Sequence, residues 1–175
     1  MNFRVIDSTV VPQAMKSLDS LTQVLRSASE DFQIQPIRVV RQSPIYTREV
    51  ILCDGALPLV WAKSTLFSKH EKTVAAYCGL EGQSLGEQLL FSYQSVKRSP
   101  YQFIECSLPT IEHSKQCGLI QKQGRISKFT WQEHNSTLVL IEVFYHQALK
   151  MIDTTQSLED LNFNNVAEIC ACSEF

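Results

Sequence analysis

The sequence predicts an α+β protein built on one antiparallel sheet of about six strands. Three observations carry this reading. Short β-rich runs follow one another with only tight turns between them, which favours antiparallel neighbours. Helical spacing is confined to stretches before and between those runs, not alternating with every strand. No Gly-rich phosphate loop stands at any strand–helix junction, so a doubly wound nucleotide-binding sheet is not indicated.

The elements follow in chain order. "PQAMKSLDSLTQVLRSAS", residues 12–29, carries Met15, Leu18, Leu21, Val24 and Leu25 at helical spacing after a proline suited to a helix start. Asp19 or Ser20 can also cap a separate helix, so one helix and two are both open. "QIQPIRVVRQ", 33–42, reads as a strand whose Pro36 suits an edge or a bulge. Residues 45–67 form the clearest hairpin, turning at Asp54-Gly55. A helix is expected over 68–80, started by Ser68. A second, shorter one is expected in "SLGEQLLF", 84–91, where Ser84 and Glu87 fit a capping box. Strands are expected at 95–107, 124–132 and 137–146, the last two joined through "EHNS". "SLEDLNF" suggests a short helix within a polar tail. With no repeat or linker visible, one domain is expected over 1–175, with a core at about 12–150 and a loose tail at 151–175.

Composition narrows the function. The chain has 175 residues, a formal net charge of −2, and no long Lys/Arg run, which argues against nucleic acid as a partner. No apolar run reaches the roughly 18 residues a spanning helix needs, and the N-terminus lacks a signal-peptide layout. A cytoplasmic location is expected, or a plastid stroma for an organelle-encoded chain. Six scattered cysteines, none in a C-x-x-C pair, fit a reducing compartment and no metal site. His70, His113, His134 and His146 show neither metal-ligand spacing nor a nucleophile motif, and read as surface or satisfied residues.

The chemistry-bearing anomaly is in "TLVLIEVFYH", 137–146. Glu142 shares a strand face with Leu138, Leu140 and Phe144, and the other face, with Val139, Ile141, Val143 and Tyr145, is no more polar. A buried carboxylate needs a cation, several hydrogen bonds or a proton. A structural ion pair and a functional site are both open readings. Lys63 in "PLVWAKSTLF" shares a face with Leu59, Trp61 and Thr65; it either snorkels to the surface or faces the same cavity as Glu142. Arg41, Arg48 and Arg98 also interrupt strand-like runs, and alternation alone does not orient them.

Four of these segments, in order and at similar spacing, resemble the chorismate pyruvate-lyase (4-hydroxybenzoate synthase) family: "LDSLTQVL", "REVILCDGALPLVWAKS", "GQSLGEQLLF" and "STLVLIEVFYHQAL". The resemblance runs from about residue 18 to 147. It implies an internal ligand cavity on one face of the sheet, covered by helices, and the conversion of chorismate to 4-hydroxybenzoate and pyruvate for quinone or related aromatic biosynthesis. It implies no cofactor and no metal, and a monomer is expected. Carried over by motif, the contacts are Leu21, Lys63, Leu85 and Glu142. Leu85 follows Ser84 where the family usually has Pro. Lys63 falls where the best-known branch has Arg, and Lys lacks the fork that grips a carboxylate bidentately. Arg48 and Arg98 are therefore further candidates for the anion partner. In this picture Lys63 holds the ring carboxylate. Glu142, at least partly protonated, serves the oxygen end as hydrogen-bond donor to the leaving oxygen or the product hydroxyl. The competing class is a non-catalytic module that binds small aromatic acids. Sensing domains of some bacterial regulators share the fold, but the residues before 33 are not basic and no DNA-binding half is expected.

Overall fold

Eight strands form one antiparallel sheet in the computed structural model, which describes residues 3–16, 20–90, 96–108 and 120–154. They are β1 (Phe3–Ile6), β2 (Phe32–Gln42), β3 (Ile45–Asp54), β4 (Leu57–Phe67), β5 (Val96–Arg98), β6 (Gln102–Leu108), β7 (Ile120–Trp131) and β8 (Ser136–Phe144). The sheet runs β1-β6-β7-β8-β4-β3-β2, and β5 also pairs with β7. The expected count of about six is corrected in two places. β1 is a four-residue edge strand, too short to show a period, and it pairs with β6. The 95–107 stretch is split into β5 and β6 around Pro100, whose ring cannot donate to a ladder.

Helices lie against one face. A 3-10 turn at Gln13–Lys16 is followed by α1 (Leu21–Ala28), whose Ser20 Oγ accepts from Gln23 N at 3.4 Å. Residues 12–29 thus form two helical pieces. α2 (Glu71–Cys78) begins later than Ser68, though the Ser68 hydroxyl accepts from His70 N at 3.0 Å just before it. Gly86–Leu90 is a single π-helical turn, and Glu87 N donates to Ser84 Oγ at 3.4 Å. Half of the expected capping box is therefore present, because the Glu87 carboxylate turns outward to Arg26 at 2.7 Å. A helix over 146–154, which the sequence reading did not anticipate, closes the described chain. The "SLEDLNF" helix lies outside the described residues.

β2 is the edge strand its proline suggests, with a register shift between Pro36 and Arg38. Gly55 at the β3–β4 turn has φ +54°, which glycine adopts without a Cβ penalty. His70 and His134 stack at 4.1 Å between α2 and the β7–β8 turn, each within hydrogen-bond distance of Thr73 Oγ1.

The covered face carries two apolar bodies. One joins Met15, Leu25, Val60, Phe144, Ala148 and Ile152, bringing α1 and the 146–154 helix onto the sheet. The other joins Leu66, Tyr77, Leu80, Leu89, Trp131 and Leu138, bringing in α2 and the π-helical turn. Leu140 packs against both, and a gap remains between them over the sheet. On the opposite face Val143 and Cys106 pack with Trp61, Ile141 and Tyr145.

Candidate functional site

The gap between the two apolar bodies is a pocket. Its floor is the sheet, through Val50, Val60, Ala62, Leu140 and Ser127. Its cover comes from α1, through Leu21 and Thr22, and from the segment 83–90, through Ser84, Leu85 and Leu90. The two covering segments are tied together. Ser84 Oγ donates to Thr22 Oγ1 at 3.2 Å, and the Arg26 guanidinium grips both oxygens of Glu87 at 2.7 and 3.2 Å.

Glu142 lines this pocket, as strand alternation on β8 requires. Its partner is Arg125, directly opposite in the β7–β8 register. Arg125 Nε donates to Glu142 Oε2 at 2.6 Å, and Arg125 Nη1 donates to the Met15 carbonyl at 3.1 Å. Both side chains are nearly out of water, at 3% and 11% exposure. Burial works to lower the Arg125 pKa, but the charge and hydrogen bond of Glu142, with help from Tyr101, outweigh it and hold the guanidinium above its ordinary value. The guanidinium also lies over the Tyr101 ring at 4.4 Å and the Phe144 ring at 5.4 Å. Close packing of the two strands depends on Gly124, where a Cβ would meet the Glu142 carbonyl oxygen at 2.5 Å.

Arg48 reaches the pocket from β3. Its Nη2 donates to the carbonyls of Glu81 and Gln83 at 2.6 and 2.9 Å, which anchors the loop before Ser84. Its Nε is buried and has no hydrogen-bond partner among the described residues. Burial lowers the Arg48 pKa, against an opposing effect of Tyr77. Tyr77 itself is pushed up to about 12, chiefly by burial, so its phenol stays neutral. It donates to the Ser64 carbonyl at 2.9 Å and shares a 2.8 Å hydrogen bond with the Ser64 hydroxyl, which faces the pocket.

Of the residues singled out in the sequence, Leu21, Leu85, Arg48, Arg98 and Glu142 all line this one pocket. Lys63 does not, and its placement is a correction. β4 presents Ala62 and Ser64 to the pocket, so Lys63 points to the opposite face beside Ile141. There its Nζ lies 3.2 Å from Glu49 Oε1 in a partly exposed ion pair. Arg41 is also outside the pocket and donates to the Cys78 carbonyl.

Arg125 is the residue the sequence reading missed. A usable signal existed in the hairpin itself. Trp131 and Ser136 close the β7–β8 turn, and Arg125 and Glu142 are each six positions back from that closing pair. Counting outward from "QEHN" would have matched them.

The chain is similar to a probable chorismate pyruvate-lyase. That protein, from Nitrosospira multiformis, is 27% identical over an alignment 169 residues long, gaps included, in which 82% of this chain and 92% of the relative are covered. No family model matches the chain. Among the described residues, no group of three or more His, Cys, Asp and Glu is placed to hold a metal ion, and no helix is long and apolar enough to cross a membrane.

Three guanidinium groups, from Arg48, Arg98 and Arg125, face one carboxylate, that of Glu142, among the pocket's described lining residues. The rest of the lining is mostly apolar. A site of this kind suits a small, largely apolar ligand carrying negative charge at defined points.

Proposed function

We propose that this protein is a chorismate pyruvate-lyase, converting chorismate to 4-hydroxybenzoate and pyruvate in the pocket between α1 and the 83–90 segment. The observation that carries the reading is the Arg48 guanidinium in the wall of that pocket, its buried Nε without a hydrogen-bond partner among the described residues. A buried donor without a partner is costly, and a ligand carboxylate removes the cost through a charge-assisted hydrogen bond. The sequence similarity to the Nitrosospira protein supports the same reading.

Arg48 takes the ring carboxylate in place of the Lys63 first expected. The Glu142–Arg125 pair takes the hydroxyl end of the ring, with the Glu142 carboxylate accepting from the hydroxyl that remains in the product. Arg125, 2.6 Å from Glu142, supplies the opposing charge where the dianion is admitted. In the reaction the ether bond between ring carbon and oxygen breaks, and the oxygen leaves with the enolpyruvyl group. The neighbouring ring carbon, which bears the hydroxyl, loses its hydrogen. The enolpyruvyl methylene gains one and becomes the methyl of pyruvate. Aromatisation drives the step. The chain's own tasks are to hold the dianion in a reactive shape, exclude water and stabilise the charge that develops on the departing oxygen. The cover formed by Leu21, Thr22, Ser84 and Leu85 suits the second task.

The test is to incubate the purified protein with chorismate and follow 4-hydroxybenzoate, alongside the Arg48→Gln variant. Turnover that falls at least tenfold in kcat/KM in the variant supports the reading. No turnover, with tight binding of 4-hydroxybenzoate, would replace it with a non-catalytic aromatic-acid-binding module.

A further inference from the structure

The positive charge of the pocket is divided between its two flanks. Arg48 stands on β3, whereas Arg98 stands on β5 and Arg125 on β7, the strand that β5 pairs with. β4 and β8 lie between β3 and β7. Three steps of about 4.8 Å put the β3 and β7 backbones about 14 Å apart across the pocket floor. Side chains reaching inward from the two flanks therefore meet opposite ends of a ligand, not the same group.

The second flank is organised by Tyr101. Arg98 Nη1 donates to the Tyr101 hydroxyl at 2.9 Å, and the Arg98 guanidinium carbon lies 4.8 Å from the ring centre. Arg125 lies 4.4 Å from the same ring. One aromatic ring thus holds two guanidinium groups, and all three side chains line the pocket. Cation–ring attraction favours each contact, while the two like charges oppose one another. Glu142 answers Arg125.

Resting on the chorismate reading, we propose that Arg98, positioned by Tyr101, is a second anion pole that holds the carboxylate of the enolpyruvyl arm while Arg48 holds the ring carboxylate. The pocket then separates substrate from product by charge. The substrate carries both carboxylates on one molecule and engages both poles. After cleavage the arm's carboxylate belongs to pyruvate, and 4-hydroxybenzoate is left with Arg48 alone. Tyr101 acts through Arg98, by fixing where that guanidinium stands.

The experiment compares two stable probes by calorimetry on the intact protein: 4-hydroxybenzoate, and 3-(carboxymethoxy)-4-hydroxybenzoate, which carries a second carboxylate on an ether arm. Arg98→Gln is expected to weaken the dicarboxylate by about tenfold or more, as loss of a charged hydrogen bond does, and to change the monocarboxylate by less than twofold. Tyr101→Phe, which keeps the ring and removes the hydroxyl, should shift the same ratio in the same direction by a smaller factor, and with chorismate should raise KM more than it lowers kcat. Equal weakening of both probes in Arg98→Gln, or of neither, overturns the proposal. The binding comparison does not depend on turnover. A wild type that does not turn over chorismate, but whose preference for the dicarboxylate is lost in Arg98→Gln, would therefore refute the reaction and leave the second pole standing.

Discussion

Replacing Arg125 by Leu should expose how much the fold depends on a charge pair set beneath the ligand. The substitution leaves the Glu142 carboxylate, 11% exposed, without the guanidinium that now lies 2.6 Å away. It also strips the Met15 carbonyl of its donor. Breaking one side of a buried pair costs about 3–5 kcal/mol, because the remaining charge is left desolvated. Replacing both partners by apolar residues costs much less, since neither charge is then buried. Urea unfolding of the wild type, Arg125→Leu, Glu142→Leu and the double variant gives the cycle. The expected result is a loss of about 3–5 kcal/mol in Arg125→Leu and recovery of at least about 2 kcal/mol of it in the double variant. Additive losses, with the double variant the least stable of the four, would rule out a coupled buried pair. They would mean that the two side chains contribute through separate packing.

Three further outcomes follow from the same geometry. Glu142→Gln keeps an oxygen that can accept from both Arg125 and the ring hydroxyl, so calorimetry should find 4-hydroxybenzoate bound better by it than by Glu142→Ala; equal affinity would remove the hydrogen-bonding role. Gly124→Ala forces a Cβ to within 2.5 Å of the Glu142 carbonyl oxygen, so thermal or urea unfolding should show a loss of about 1–3 kcal/mol. An unchanged stability would show that β7 and β8 separate without cost. Lys63→Ala breaks a partly exposed pair with Glu49 on the far face, so it should cost under about 1 kcal/mol and leave 4-hydroxybenzoate affinity unaltered. A tenfold loss of affinity would return Lys63 to the site.

Much of the sheet was legible in the sequence because its central strands are long and bounded by strong turns. Asp54-Gly55 and the apolar run at 137–145 locate β3, β4 and β8 within a residue or two. β1 escaped notice because four residues cannot establish a period and its partner, β6, is about a hundred residues away. The orientation of Lys63 was misjudged for a different reason. Both faces of β4 carry apolar residues, so alternation shows which residues share a face but not which face is covered by helices. The structure decides that by packing α1, α2 and the 146–154 helix on the side of Ala62 and Ser64. Glu142 was conspicuous as a carboxylate in an apolar strand. Arg125 was not, since an arginine in a mixed strand is ordinary until its register opposite Glu142 is known. Tyr101 had no sequence signal, because its role comes from two arginines that the fold brings to its ring.

The most direct test of the central claim is a stoichiometric one. Purified protein is given chorismate, and 4-hydroxybenzoate and pyruvate are both quantified over time against a no-protein control. A chorismate pyruvate-lyase forms the two products in equal amounts at a rate well above the control, and Arg48→Gln abolishes or strongly reduces that rate. Chorismate left at the control rate, or one product formed without the other, would contradict the claim.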